Sequence, residues 1–319
     1  MTLLTVSALA GPRTSASYYV ATDTANIGAI RSASATYTIV SNVGDVTGIS
    51  TAAPAQIAKQ GYIAQLYDVT GLTLTAASLT VNETATVELT ARQMLDDDTF
   101  LAIAPITVNW SVVSGPISGI SAVGLATAGA VYQNTPASVQ GSLGGFTGLS
   151  SLTVIETIPD NFGSYAGDGL TDNWQVQYFG LNNPLGGPNM DPDGDGLINL
   201  TEFAFGTDPT ANGVGILRYT GTFAGGGTIL STGQPTTAFE STVNGVDFRA
   251  LFVRRVDYVA VRLTYTVQFS ADLATWHSST TVPSVLADNG AFQIVSVPYP
   301  FFVSGKKARF FRVQVSTAP

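Results

Sequence analysis

Apolar residues alternate with threonine, serine and other polar residues over most of the chain, and this period of two is typical of β-strands that bury one face. The alternation is strongest between Leu72 and Leu89, where Leu and Val alternate with Thr, Ser and Glu. We therefore predict a mostly β fold made of tandem β-sandwich modules. Beyond Asn212 the predicted strands are Gly215–Thr222, Phe248–Val253, Leu263–Phe269, Phe292–Val297 and Arg309–Val315.

The segment Pro159–Pro209 interrupts this alternation, because it is rich in Asp, Gly and Asn. Two short apolar stretches inside it predict helices at Trp174–Phe179 and Leu200–Phe205. Each is followed by a glycine, which favours the end of a helix. We expect the two helices to face each other over a small core that needs a metal to persist. The aromatic residues of this predicted core are Trp174, Tyr178, Phe203 and Phe205.

The twelve residues Asp191–Glu202 have the spacing of a calcium-binding loop of the EF-hand type. Oxygen ligands recur at positions one, three, five, seven, nine and twelve, and Gly196 at position six allows the tight curl. A solvated acidic turn is the alternative interpretation. The predicted Ca²⁺ ligands are the side chains of Asp191, Asp193, Asp195, Asn199 and Glu202 and the backbone carbonyl of Leu197.

An upstream copy of this loop lies 27 positions earlier, where Asp168–Gln175 aligns with Asp195–Glu202. Its first and third positions are Ser164 and Ala166, and Gln replaces the final Glu. A second Ca²⁺ would therefore be held by Asp168 and Asp172 with outside oxygens, for which Asp208 and Asp160 are the nearest candidates. The alternative is an Asx turn that caps a helix.

The 319 residues exceed what one core usually supports, so we predict several modules. The predicted modules are an N-terminal arm at 1–12, a β-rich region at 13–70, a β-sandwich at 71–157, the paired loop-helix module at 158–212 and a second sandwich at 213–319.

Composition and charge narrow the choice of partner. Charged residues make up 11% of the chain and the net charge is −9, which disfavours binding to nucleic acid. Cysteine is absent, which excludes disulfides, thiol catalysis and Cys-based zinc sites. Because a loop of ordinary calcium affinity fills outside the cell and not in a resting cytosol, we predict an extracellular or cell-surface protein.

The first ten residues, MTLLTVSALA, are open to two interpretations. They end like a signal-peptidase site, as a signal-peptide remnant would, but lack a basic region before the apolar one. They also alternate like a β-strand, and a terminal strand is the interpretation we favour. No run of the chain reaches the roughly 18 to 20 apolar residues of a membrane span.

Candidate catalytic groups are sparse. The one histidine, His277, lies in a predicted turn, where surface or packing roles are commoner than catalysis. The acidic run Asp96–Asp98 is predicted at a hairpin tip, and a carboxylate pair there is the remaining route to glycoside hydrolysis. We predict that the protein is not an enzyme.

Three stretches resemble modules of secreted bacterial surface proteins. Leu79–Ala91 with Asn109-Trp110-Ser111 resembles a bacterial immunoglobulin-like domain over residues 71–157. The double loop ending in Gly206-Thr-Asp-Pro-Thr210 resembles thrombospondin type 3 or dockerin-like calcium repeats, which implies a rigid, calcium-filled connector between β-modules. Phe269–Trp276 and Arg309–Val315 resemble a fibronectin-like C-terminal module, which implies location more than activity.

These observations leave three functional hypotheses. The first is a structural subunit of an extracellular filament or surface layer, made rigid by calcium and joined to neighbouring copies when residues 2–10 add as a strand to a sheet edge. The second is an adhesin or a module that binds a glycan or another cell-surface ligand. The third, an enzyme accessory or hydrolase acting through Asp96–Asp98, is the least supported.

Overall fold

The computed structural model describes residues 68–96 and 98–317 with their side chains, and the backbone of six short strands upstream. Within this part of the chain the fold is mostly β with two α-helices, which confirms the prediction of a mostly β protein. The predicted N-terminal arm and its donor segment, residues 2–10, lie outside the described residues.

The upstream strands form three antiparallel pairs: β1 (Arg13–Thr14) with β2 (Tyr19–Val20), β3 (Ala29–Ala33) with β4 (Thr38–Asn42), and β5 (Gly48–Ala52) with β6 (Gln56–Gln60). The next strands are β7 (Val69–Ala76), β8 (Thr80–Asn82), β9 (Thr86–Leu95), β10 (Phe100–Ala102), β11 (Asn109–Ser114), β12 (Ile117–Ile120), β13 (Leu125–Ala128), β14 (Thr135–Leu143) and β15 (Phe146–Ile155).

The central segment contains helices α1 (Asp172–Phe179) and α2 (Asn199–Phe205), with the 3-10 turn Pro184–Gly186 between them; another 3-10 turn, Pro105–Thr107, precedes β11. The C-terminal strands are β16 (Arg218–Thr222), β17 (Gly225–Ser231), β18 (Thr236–Thr242), β19 (Gly245–Arg255), β20 (Leu263–Ser270), β21 (His277–Ser278), β22 (Ser284–Asp288), β23 (Phe292–Pro298), β24 (Phe302–Val303), β25 (Lys306–Lys307) and β26 (Phe310–Thr317).

The chain divides into two compact units. The first contains residues 1–129 and 134–155, and the second contains 130–133 and 156–319. The predicted loop-helix module and the predicted C-terminal sandwich thus belong to one compact unit. The finer module boundaries stay predictions.

The first unit contains two sheets packed as a sandwich. One has the order β10-β9-β13-β12 with β7 also paired to β9, and the other has the order β11-β14-β15-β8. Every second residue of β9 from Val87 to Leu95 is buried, as expected of a strand with one face on a core. Leu72 and Leu74 of β7 pack with Ala91 of β9 and with Val108 and Trp110 from the opposite sheet.

The second unit is built in layers around strand β19. Its sheet, β18-β19-β23-β22, packs one face against the sheet β21-β20-β26, where Phe252 meets Val267 and Phe269. The other face contacts the β16–β17 hairpin through Leu251 and Tyr219. Because both faces are covered, the four consecutive residues Ala250–Val253 are all buried.

Both helices end at the predicted glycines, but their aromatic residues do not share one small core. The Trp174 ring lies 5.3 Å from Phe203 and 5.1 Å from Tyr178, as expected. Phe205 instead enters the core between the sheets, with its ring 6.2 Å from Tyr265. Residues two apart on a helix point to different sides, so Phe203 and Phe205 cannot face the same partner, and that prediction was wrong.

Among the described residues, neither helix approaches the length and apolar character needed to cross a membrane.

Candidate metal centre

The loop Asp191–Glu202 is curled by hydrogen bonds from its own backbone amides to its own carboxylates. Gly194 and Gly196 both have left-handed φ angles, 77° and 93°, which favour glycine at these positions. The bonds are Gly194 N to Asp191 Oδ1 (2.9 Å), Gly196 N to Asp191 Oδ2 (3.1 Å), Asp195 N to Asp193 Oδ1 (3.1 Å) and Leu197 N to Asp195 Oδ1 (2.8 Å).

This curl brings three carboxylates together. Asp191, Asp193 and Asp195 each place an oxygen within 4.8 Å of the others. Burial raises the pKa of Asp193, and the neighbouring carboxylates of Asp195 and Asp191 raise it further. Like charges this close repel one another unless a proton or a cation lies between them.

Helix α2 contributes the last two predicted ligands from its first turn. Asn199 and Glu202 are three residues apart and so lie on one side of the helix, and both have 0% exposure. The Asn199 amide donates to the carbonyls of Leu185 and Gly187 at 2.8 Å each, which fixes the direction of its oxygen. Burial, followed by the charges of Asp193, Asp195 and Asp191, raises the pKa of Glu202 to about 7.

Four side-chain oxygens of this loop are buried and have no hydrogen-bond partner among the described residues. They are Asp193 Oδ2, Asp195 Oδ2, Asn199 Oδ1 and Glu202 Oε2. Leaving a buried acceptor without a partner costs about 1–3 kcal/mol, and more when it is charged. A set of oxygen donors that includes several carboxylates is the chemistry that hard divalent cations select. The residues present therefore fit such an ion.

The far end of α2 is anchored to the C-terminal sheets. The Tyr265 hydroxyl donates to the carbonyl of Ala204 (2.9 Å), and the Thr232 hydroxyl donates to that of Gly206 (2.6 Å). The Arg255 guanidinium lies 4.1 Å from the centre of the Phe203 ring. The acidic loop is thus attached through one short helix to the core of the second unit.

The upstream loop repeats these backbone bonds with a different first carboxylate. Gly169 N donates to Asp160 Oδ2 (2.8 Å), as Gly196 does to Asp191, and Leu170 N donates to Asp168 Oδ1 (2.9 Å). Asp160 therefore takes the role of Asp191. Ser164, which the alignment puts first, instead donates its backbone N–H to Asn182 Oδ1.

Gln175 closes the upstream loop from the position that Glu202 has in the other loop. Its fully buried amide donates to Asp168 Oδ2 (2.7 Å) and to the carbonyl of Gly186 (2.9 Å). Asp168 thereby has a partner for each oxygen. An N–H donor lies here beside the carboxylate that corresponds to Asp195.

Asp172 and Asp208, the other predicted ligands, lie in different settings. Asp172 Oδ2 accepts from the backbone N–H groups of Asn161 (2.7 Å) and Phe162 (2.8 Å), while its Oδ1 is buried without a hydrogen-bond partner among the described residues. Burial above all raises the pKa of Asp172 to about 6. Asp208 is exposed, and its Oδ1 accepts from the Thr210 hydroxyl (2.7 Å) in a turn. Neither belongs to the cluster of three aspartates.

The contacts of the candidate catalytic residues are those of residues that support the fold. His277 Nε2 lies 2.9 Å from the Ser304 hydroxyl, a contact that joins β21 to the turn between β24 and β25. No carboxylate among the described residues hydrogen-bonds the His277 ring to orient it as a base. Asp96 and Asp98 lie in the connection between β9 and β10, and Asp97 lies outside the described residues. The expectation that the protein is not an enzyme stays a prediction.

The chain matches no protein-family model and no curated protein sequence.

Proposed function

We propose that the protein is a calcium-stabilised structural subunit of an extracellular filament or surface assembly. The observation that carries the calcium part is the group of four buried oxygens without hydrogen-bond partners in the loop Asp191–Glu202. Calcium supplies charge compensation and six to eight oxygen contacts when it is bound. The chain supplies the ligands: the carboxylates of Asp191, Asp193, Asp195 and Glu202, the Asn199 oxygen and the carbonyl of Leu197.

Calcium is favoured over softer metals by the donor set. The loop contains neither His nor Cys, the residues that zinc and copper sites select. It is favoured over magnesium because a twelve-residue loop with a terminal glutamate supplies more oxygens than a small octahedral ion takes from protein side chains. The upstream loop stays a second, weaker candidate, with Asp168, Asp172 and Asp208 as its predicted ligands.

A structural role is supported by the way α2 joins the acidic loop to the sheets. An ion held by Asp195 and Glu202 would fix the start of α2, whose end is held by Tyr265 and by the packing of Phe205. Binding would therefore stabilise the second unit and not the loop alone. Extracellular calcium is sufficient to keep such a loop filled, which is why we place the protein outside the cell.

Assembly through strand donation is the second part of the proposal. Strand β26 pairs only with β20 among the described strands and is therefore an edge strand of its sheet. Residues 2–10 have the alternating pattern that an added strand requires. A contact of this head-to-tail kind does not close on itself, so it builds fibres.

Electron microscopy tests the two parts separately. We expect ordered fibres from the full chain in calcium, and their loss when residues 2–10 are deleted while the deleted protein stays folded. Adding the chelator EGTA should shorten or dissolve the fibres. Fibres that persist after the deletion would contradict strand donation, and fibres and melting curves unchanged by EGTA would contradict the role of calcium.

A further inference from the structure

A groove in the second unit combines exposed aromatic rings with two basic side chains. It has a volume of about 480 Å³ and lies between β19 and the segment that leads into and out of the β24–β25 hairpin. Its lining includes the aromatic residues Phe248, Tyr299 and Phe301 and the basic residues Lys307 and Arg309. None of these residues belongs to the acidic loops.

The aromatic side chains of this groove are unusually exposed. Phe301 is 87% exposed and Phe248 is 50% exposed. Phe239, 68% exposed, extends the surface, since its ring centre lies 6.0 Å from that of Phe248. Contiguous aromatic surface of this kind in a soluble domain marks an interaction site more often than a packing defect.

Hydrogen bonds and ring packing hold the groove in shape. Ser304 and Gly305 have φ angles of 48° and 76°, which make the tight turn of the β24–β25 hairpin, and His277 holds that turn through Ser304. The Tyr299 hydroxyl lies 2.9 Å from that of Thr237, and its ring packs edge-on against Phe269. A site shaped in advance loses little entropy when it binds a ligand.

The net charge of the groove lining is positive. Lys307 and Arg309 are exposed and have no ion-pair partner among the described residues. Asp247, the one acidic residue of the lining, is paired with Arg249 at 2.9 Å. In a chain with a net charge of −9, this local excess of positive charge selects for an anionic ligand.

We propose that this groove binds an acidic polysaccharide built from uronic acid units. Ring faces such as those of Phe248 and Phe301 stack on the C–H faces of pyranose rings. Lys307 and Arg309 pair with the carboxylate of a uronate. Among the lining residues Val246 is the one branched aliphatic side chain, so the walls suit flat sugar rings better than the side chains of a peptide.

Binding is tested on the full chain with a trimer of galacturonic acid, which is too short to gel with calcium. The methyl ester of the same trimer is the matched ligand, because it keeps the rings and removes the charge. At fixed free calcium, isothermal titration should show binding of the acid that is at least about tenfold tighter than binding of the ester. Raising the salt concentration should weaken binding of the acid.

Matched variants locate the site. Phe301→Ala and the double variant Lys307→Gln/Arg309→Gln should each weaken binding of the acid by about tenfold or more. Leu230→Ala and Arg218→Gln, also exposed but outside the lining, should leave it unchanged. All four variants change surface residues only and should keep the thermal midpoint within about 2 °C.

The proposal is overturned if neither trimer binds, if acid and ester bind equally, or if Arg218→Gln weakens binding as much as the double variant. It is also overturned if sedimentation shows self-association that Phe301→Ala removes, because the groove would then be occupied by a second copy. The groove shares no residue with Asp191–Glu202, so failure here leaves the calcium proposal standing and the converse also holds.

Discussion

The two acidic loops of the central segment have equivalent backbone hydrogen bonds and differ in the group that closes them. In the upstream loop the amide of Gln175 donates 2.7 Å to Asp168. In the downstream loop Glu202 occupies the equivalent position, and Asp195 Oδ2 and Glu202 Oε2 are both buried without hydrogen-bond partners among the described residues.

The difference between an amide and a carboxylate at the closing position has an electrostatic consequence. An N–H donor compensates a carboxylate from within the chain, whereas a second carboxylate adds to the charge and calls for a proton or a cation. The exchange of one N–H₂ group for one oxygen therefore decides whether the chain itself supplies a donor to the central aspartate of the loop, Asp168 or Asp195. Predictions follow for each loop.

Removing calcium from the wild-type protein should have the largest effect. If free calcium was about a thousand times its dissociation constant, chelation removes about 4 kcal/mol of stability from the second unit. Scanning calorimetry with and without EGTA measures the shift. Glu88→Gln is the control, because Glu88 is exposed and belongs to the first unit. An equal wild-type midpoint in both buffers would contradict a stabilising role of calcium.

Glu202→Gln gives the downstream loop the closing residue of its upstream copy. We expect the calcium-dependent shift in melting to fall by about 2 kcal/mol or more, since a charged ligand is lost from the site. In EGTA the variant should melt above the wild type, because the buried negative charge is gone. Glu88→Gln, an exposed change in the first unit, should do neither. An unchanged calcium response in Glu202→Gln would exclude this residue as a ligand.

Gln175→Glu makes the opposite change. The new carboxylate would face Asp168 in a buried site and should destabilise the protein in EGTA by about 1–2 kcal/mol, with calcium restoring part of the loss. Gln177→Glu makes the same chemical change on the exposed side of α1 and should have almost no effect. Equal effects of the two changes would mean that the Gln175 amide does not close the loop.

The smallest predicted effect is a pH dependence in EGTA. In the folded state Glu202 has a pKa of about 7 and Asp172 a pKa of about 6. The folded state therefore keeps protons that the unfolded chain releases near the ordinary pKa values of these groups, 4.5 and 3.8. Stability should therefore fall as pH rises from about 4 to 7 and level off above it.

Two comparisons check this pH dependence. Glu202→Gln should lose the part of the decline nearest pH 7 and keep the part below 6, where Asp172 titrates. Saturating calcium should also flatten the decline, because the ion replaces the proton on Glu202. If the stability of the wild type in EGTA rises over this pH range, the pKa values of Glu202 and Asp172 are not raised by burial.

The clustering of carboxylates in the downstream loop was predictable because it depends on local spacing. Asp191, Asp193 and Asp195 are close in sequence, and a turn permitted by Gly196 brings them together without help from distant residues. The strands were predictable for a similar reason, since alternation is a local property of the chain. A glycine-rich strand such as β17 (Gly225–Ser231) gave no such signal.

The upstream loop was harder to predict, because an insertion moves its first carboxylate out of the 27-residue offset of the repeat. Asp160 lies 31 residues before Asp191, whereas the rest of the repeat has an offset of 27. The bonds from Gly167 and Gly169 to Asp160 reveal the equivalence. The sequence offered Asp160 and Asp208 as candidates, and the place of Asp160 in the loop could not be read from the alignment.

The aromatic groove could not be predicted, because tertiary structure assembles it. Thr237, Phe248, Tyr299 and Arg309 are dispersed over more than seventy positions and meet only when β19 lies beside the β24–β25 hairpin. From the sequence alone, Tyr299 and Phe301 fit half-buried strand positions as well as sugar-stacking positions. The exposure of Phe301 distinguishes the two interpretations.

Counting bound calcium by isothermal titration calorimetry tests the central claim most directly. We predict one calcium per chain for the wild type, binding at least about a hundredfold weaker for Glu202→Gln, and a second calcium for Gln175→Glu. Wild-type protein that binds no calcium, or that binds it equally well without the Glu202 carboxylate, would contradict the account.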